Sequence, residues 1–226
     1  RTTSSAASDV YKRQPVGDAM ATTIWGTSSS WTLTALPLFV WMGEILFRTK
    51  LSENLFKGLS PWMQRLPGGL IHVNVVGCAL FAAISGSSAA TVATVGKMSI
   101  PELRKRNYPE KILLGSLAGS GTLGLLIPPS IILIIYGVAV QESIAKLFIA
   151  GIIPGIMIAL IFMSYVIIWS LINKKSMPKI IEKYSFLEKI KRSKQLLPVI
   201  ILISAVIGSI YTGIATATEA ASLGVV

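Results

Sequence analysis

Two short clusters of small and hydroxylated residues interrupt long apolar runs, and they are the places where this chain can do chemistry. The first is Ser85-Gly86-Ser87-Ser88-Ala89-Ala90-Thr91. The second runs through Gly119, Ser120, Gly121, Thr122 and Gly124 to Pro128-Pro129. Gly and Ser clusters break helices, and Pro128 and Pro129 carry no N–H, so a continuing helix would leave the carbonyls of Gly124 and Leu125 without donors. Unpaired backbone in hydrocarbon is costly and persists only where protein, water or a bound ion satisfies it. At the first cluster, a helix ending near Ile84 presents carbonyls and the negative end of its dipole, which suits a cation. A second helix starting near Ser88 presents N–H groups, which suit a carboxylate. The hydroxyls of Ser85, Ser87, Ser88 and Thr91 are hard oxygen ligands without formal charge. No Asp or Glu lies among them, which argues against a calcium or magnesium cage and for Na⁺ held through Ser85, Ser87 and Ser88. A plainer reading stays open at both clusters: small residues allow close helix packing, and a proline pair can simply kink a helix.

Other polar groups in apolar surroundings have blander readings. His72 and Asn74 precede the first cluster, and a structural hydrogen bond is the preferred role for His72. Glu44 lies one turn before Arg48 and reads as a helix-end charge. Cys78, the single cysteine, has no disulfide or metal partner and reads as a small buried hydrophobe. Gly119 to Gly124 matches G-x-G-x-x-G, but a dinucleotide site needs a preceding strand and a stable following helix, and Pro-Pro follows instead. No phosphate-binding G-x-x-x-x-G-K-[ST], no H-E-x-x-H and no paired membrane aspartates occur, so nothing points to an enzyme or to a bound cofactor beyond Na⁺ as a coupling ion. The pairs Gly115/Gly119 and Gly151/Gly155 read as close helix crossings.

The elements that position these clusters belong to a membrane protein. Hydrophobic residues make up 52% of the 226, charged residues 14%, and the mean hydropathy is +0.67; soluble domains carry about a quarter charged residues. The net charge of +11 sits in loops flanking apolar runs, without interleaved aromatics, so it reflects retention of basic loops on the cytoplasmic side rather than nucleic-acid binding. Ser30 to Phe47 is long enough to cross. Arg48 to Arg65 has Leu51, Leu55, Leu59 and Trp62 at helical spacing among basic residues and predicts a helix lying in the interface. Gly68 to Gly96 is flanked by basic residues at both ends and should enter and leave on one face, as a re-entrant hairpin with its tip at Ser85 to Ser88. Ile112 to Val140 reads as one broken span. A polar turn at Gln141 to Ser143 leads to a span at Leu147 to Ile172, a basic cytoplasmic loop at 173–195, and a last span at Leu196 to Gly213.

Residues Ser4 to Gln14 resemble a translated sequencing-library adapter and are set apart as an artefactual leader, 1–14. The chain is read as truncated at both ends, with a new apolar stretch just starting at its C-terminus. The remaining boundaries are 15–66 for a span and arm helix, 67–140 for the hairpin (67–100) and broken helix (112–140), 141–213 for two spans, and 214–226 for that new stretch.

From Trp31 to Val226 the sequence resembles the large permease subunit of the tripartite ATP-independent periplasmic (TRAP) transporters. The resemblance is carried by LPGGLIHVNVVGCALFAAISGSSAATVATVGKMSIPELRKRNYPE, GSLAGSGTLGLLIPPSIILIIYGV, IAKLFIAGIIPG and IYTGIATATEAASLG. It implies an all-α polytopic protein of the bacterial inner membrane with an elevator-type fold of two inverted repeats, of which this chain holds the first. The tip at Ser85, Gly86, Ser87, Ser88 and Thr91 and the break at Gly119–Pro129 would line half of an ion and substrate site, with Arg48 to Arg65 an arm of the scaffold. The implied activity is Na⁺-coupled import of a small organic acid, C4-dicarboxylate-like or another carboxylate. The implied partners are a small membrane subunit and a periplasmic substrate-binding protein. The competing reading is a Na⁺- or H⁺-coupled carboxylate carrier of similar hairpin design that needs no binding protein. A passive assembly subunit, with dispensable hairpin serines, is a third.

Overall fold

The computed structural model describes residues 16–178 and 184–225. The adapter-like stretch at 4–14 lies outside them, as do Lys179, Glu182 and Lys183 of the basic loop. Every regular element among the described residues is helical. In chain order they are α1 (Val16–Ser28), a 3₁₀ turn (Trp31–Thr34), α2 (Ala35–Arg48), α3 (Leu51–Met63), α4 (Ile71–Ser85), α5 (Ser88–Lys105) and α6 (Glu110–Gly121). A second 3₁₀ turn (Thr122–Leu125) leads to α7 (Ile131–Val140), α8 (Ile144–Ile172), α9 (Phe186–Ser193), α10 (Leu197–Tyr211) and α11 (Ala217–Val225).

Helix α4 is the centre of the packing and touches α2, α3, α5, α6, α8 and α10. Phe39 and Met42 of α2, Leu55 of α3, Phe81 of α4, Leu113 of α6 and Phe148 of α8 are fully buried in one core. Helix α8 differs. Its 29 residues have a mean hydropathy of 2.5 over the most apolar stretch, yet Ile153, Met157, Leu160, Ile161 and Ile168 stand exposed. An apolar surface on that scale needs hydrocarbon as its solvent. Among the described residues α8 and the run Phe186–Tyr211 are each long and apolar enough to cross a membrane, and α1 with Trp31–Arg48, bent by 47°, makes a third candidate.

The architecture differs from the sequence expectation in four places. Helix α1 has no counterpart in that expectation. It is exposed along its length, and Thr22, Thr23 and Thr27 donate their hydroxyls to carbonyls four residues back, which lets a polar-looking stretch remain helical. Helix α3 does not turn its apolar stripe to the interface: Leu55, Phe56 and Leu59 are buried against protein, with Gly58 pressed on Leu196. Trp62 is its exposed edge, donating to Ser193 Oγ at 2.8 Å beneath the Lys189 ammonium. The basic loop is partly helix α9, started by Ser185, whose N–H donates to Glu188 at 2.8 Å in an S-x-x-E capping box. Finally, Gly115 meets nothing within 4 Å, so it marks no close crossing, and Gly119 makes only ordinary contact with Phe162. Gly151 and Gly155 mark a close approach of α8 to the non-helical stretch at 126–130 rather than to another helix: a Cβ on them would lie 2.8 Å from Leu126 O and from Ile127 Cγ1, respectively.

Candidate functional site

The turn between α4 and α5 comprises two residues. Gly86 caps α4 with φ 59°, a left-handed conformation that glycine adopts without a Cβ clash, and Ser87 is extended at φ −126° and caps α5. Ser87 Oγ accepts from Ala90 N at 3.5 Å. Ser85 Oγ and Thr91 Oγ1 lie 3.0 Å apart and tie the two legs together; both residues are buried. Ser88 Oγ is buried with no hydrogen-bond partner.

The second break is wider than proline alone would make it. Helix α6 stops at Gly121, seven residues before Pro128, and the chain tightens into the 3₁₀ turn before running non-helically through 126–130. Leu126 N and Ile127 N both donate to Leu123 O. The Leu125 carbonyl is satisfied by the Ser130 hydroxyl at 2.6 Å. Ser130 is a residue of this break that sequence reasoning misses; its signal is a hydroxyl directly after Pro-Pro, at the cap of α7.

The two breaks meet. Ile131 N donates to Gly86 O at 3.3 Å, and a Cβ on Gly86 would lie 2.7 Å from Pro129 O. A Cβ on Gly124 would lie 2.9 Å from Ser88 N, and one on Gly121 would strike Val92. Thus Gly86, Ser87, Ser88, Gly121, Gly124 and Pro129 form one junction, with Ser85 and Thr91 just beneath the tip. Ser120 is fully buried and its Oγ has no partner. Thr122 is exposed, with its hydroxyl donated to Gly119 O at 2.7 Å, and Gly119 lies against Phe162 of α8, so these two stand apart from the tip. Pro128 is buried behind Gly151.

Four helix ends converge at this junction: the C-terminal ends of α4 and α6 and the N-terminal ends of α5 and α7. Each carries roughly half a unit charge, negative at C-termini and positive at N-termini. The available ligands are neutral oxygens, and no cluster of three His, Cys, Asp or Glu occurs among the described residues. Away from the junction, in the first turn of α4, Asn74 Nδ2 donates to Leu113 O at 3.3 Å and Ser116 Oγ at 3.0 Å, fixing the hairpin to α6. The 2.7 Å contact of His72 Nε2 with Pro67 O places the proton on Nε2, because a carbonyl only accepts. Glu44 pairs with Arg48 at 2.8 Å on an exposed helix end.

The sequence profile of the tripartite ATP-independent periplasmic transporter, DctM component, matches residues 2–226. A C4-dicarboxylate TRAP transporter large permease of Pseudomonas aeruginosa is 36% identical over 208 residues, covering 92% of this chain and 48% of its own length. A sialic acid TRAP transporter large permease of Vibrio cholerae is 35% identical over 200 residues, 88% of this chain and 46% of its own. An isethionate TRAP transporter permease of Oleidesulfovibrio alaskensis is 35% identical over 209 residues, 91% of this chain and 32% of its own. The chain spans about half the length of the large permeases it matches. These relatives are permeases, not enzymes, and with apolar helices and a profile match along almost its whole length the chain belongs to the DctM component family of tripartite ATP-independent periplasmic transporters.

Proposed function

We propose that this chain is the first-repeat part of a permease that imports a small organic acid together with Na⁺ across the bacterial inner membrane. It would work with a small membrane subunit and a periplasmic substrate-binding protein, and a second repeat would supply the other half of the site. The observation that carries this reading is the junction of two discontinuous segments at Gly86–Ser88 and Gly121–Ile131. Paired helix breaks are the recurring device by which secondary transporters bind ions and substrate at membrane depth. The C-terminal ends of α4 and α6, with the neutral oxygens of Ser85, Ser87 and Ser88, favour Na⁺. The N-terminal ends of α5 and α7 favour a carboxylate, and the orphan Ser88 hydroxyl remains free to ligate either.

Relatives named for C4-dicarboxylates and for sialic acid support a carboxylate as the substrate. In the elevator mechanism that goes with it, the hairpin and broken helix would move as one body past α2 and α3.

The test is uptake into liposomes holding the full-length permease and its small subunit, with and without an inward Na⁺ gradient and added binding protein. Uptake requiring both Na⁺ and the binding protein is the expected result. Uptake driven by Na⁺ without the binding protein would replace it with a self-sufficient carboxylate carrier, and no uptake of any organic acid would overturn it.

A further inference from the structure

The opposite end of the hairpin holds buried polar groups that transport at the tip leaves unused. A cavity of about 400 Å³ lies between the turn that precedes α4, Tyr108 and the C-terminal end of α8. Gln64 and Ser170 line it, 6% and 3% exposed, and neither Gln64 Nε2 nor Ser170 Oγ has a partner. Buried polar atoms are nearly always paired, so two orphans facing one cavity ask for a ligand.

The side-chain groups left free around them are donors. The carbonyls of the turn are already accepting: Leu66 O from Gly69 N, Pro67 O from His72 Nε2, Gly68 O from Ile71 N and Gly69 O from His72 N. Tyr108 Oη accepts from Leu70 N at 3.0 Å, which leaves its own O–H to donate. Burial raises the Tyr108 phenol above its ordinary range, so that proton is retained at neutral pH. Lys174 lines the cavity, lies exposed at its edge and has no ion-pair partner among the described residues. No Asp or Glu is among the lining residues that the structure describes. The C-terminal ends of α3, capped by Gln64 itself, and of α8 and the N-terminal end of α4 all lie here at about half a unit charge each, leaving roughly half a unit of negative charge that the full charge of Lys174 outweighs.

We propose that this cavity binds a phosphate group, either inorganic phosphate or the phosphate of a lipid headgroup, between Gln64, Tyr108, Ser170 and Lys174. Converging donors beside one cation suit a tetrahedral oxyanion with several free oxygens, and they repel a metal ion. The cavity lies where the exposed apolar side chains Ile168 and Leu171 give way to Lys174 and Lys175, the level at which headgroups sit. A ligand there would join the base of the hairpin to the end of α8, far from the tip.

The test uses the full-length permease in detergent, melted with and without millimolar inorganic phosphate and weighed by native mass spectrometry for retained phospholipid. Wild type is expected either to be stabilised by phosphate or to retain phospholipid. The first result assigns the soluble anion and the second the lipid. Lys174→Gln, at an exposed position that does not threaten folding, should weaken phosphate binding about tenfold or release the lipid, since one charge-assisted hydrogen bond is removed. Ser170→Ala should weaken it less, and Lys175→Gln, outside the cavity, should leave it intact. A wild type that neither responds to phosphate nor holds lipid overturns the proposal, as does an equal loss in Lys174→Gln and Lys175→Gln, which would mean diffuse surface charge. Uptake is not read, so either outcome is independent of the transport proposal.

Discussion

Helices α4 and α8 are both strongly apolar, yet 12 of the 15 residues of α4 are buried against protein and only 5 of the 29 of α8 are. The long helix pairs its own backbone from end to end and can face lipid on most sides. The short one ends inside the fold, and its last turn and the groups beyond it must be satisfied by neighbours: Gly86 O by Ile131 N and Ser85 by Thr91. Hydropathy alone ranks the two together. What separates them is continuity, because an interrupted helix is tolerable in hydrocarbon only when it is enclosed.

The sharpest way to break this contrast is at the junction. Gly86→Val places a β-branched residue at positive φ, a strain of about 1–3 kcal/mol, and drives its Cβ into Pro129 O. Uptake by the full-length permease is expected to fall to background, with the protein still found in the membrane fraction. Normal uptake would mean the two breaks need not touch. Next in size, Met157→Lys puts a charge near the middle of the lipid-facing surface of α8, at about 2.5–3.5 kcal/mol, and should lower the yield of folded permease. Met157→Leu at the same site should shift stability by less than about 0.5 kcal/mol. A smaller and more specific effect is expected of Ser85→Ala combined with Ser88→Ala. Losing two neutral oxygen ligands should raise the Na⁺ concentration for half-maximal uptake about tenfold, and unchanged Na⁺ dependence would remove these hydroxyls from the ion site. Smallest, Asn74→Leu deletes the links to Leu113 O and Ser116 Oγ and should cost about 1–2 kcal/mol in thermal unfolding, with Na⁺ affinity untouched.

Much of this contrast is legible in the sequence. The Gly-Ser cluster at 85–88 and the Gly-Pro stretch at 119–129 announce breaks because Gly and Pro act locally on the backbone, and the helices are interrupted within those stretches. Their meeting is not legible: that Gly124 faces Ser88 and Gly86 faces Pro129 is a matter of tertiary approach, and no local spacing encodes it. The α3 stripe shows the same limit, since a 3.6-residue period says that Leu55 and Leu59 share a face but not whether lipid or protein covers it. Two helix starts carry a local signal that hydropathy overlooks, the capping boxes at Ser185–Glu188 and Thr216–Glu219, where in each case the glutamate accepts from the N–H three residues back at 2.8 Å.

The bond from Ile131 N to Gly86 O joins the two interrupted segments by backbone alone. Ordinary side-chain mutagenesis is therefore blind to it: an alanine scan across the region would leave this link in place and score Ile131 only for its packing. Proline is the one natural substitution that erases the donor. Ile131 is the first residue of α7, where proline is sterically welcome, and Ser130 before it already has the extended backbone, φ −117° and ψ 130°, that a following proline requires. Ile131→Pro thus removes the donor and sets its ring Cδ where the hydrogen points, against Gly86 O, so that it pushes one break from the other at a position where α7 itself tolerates proline.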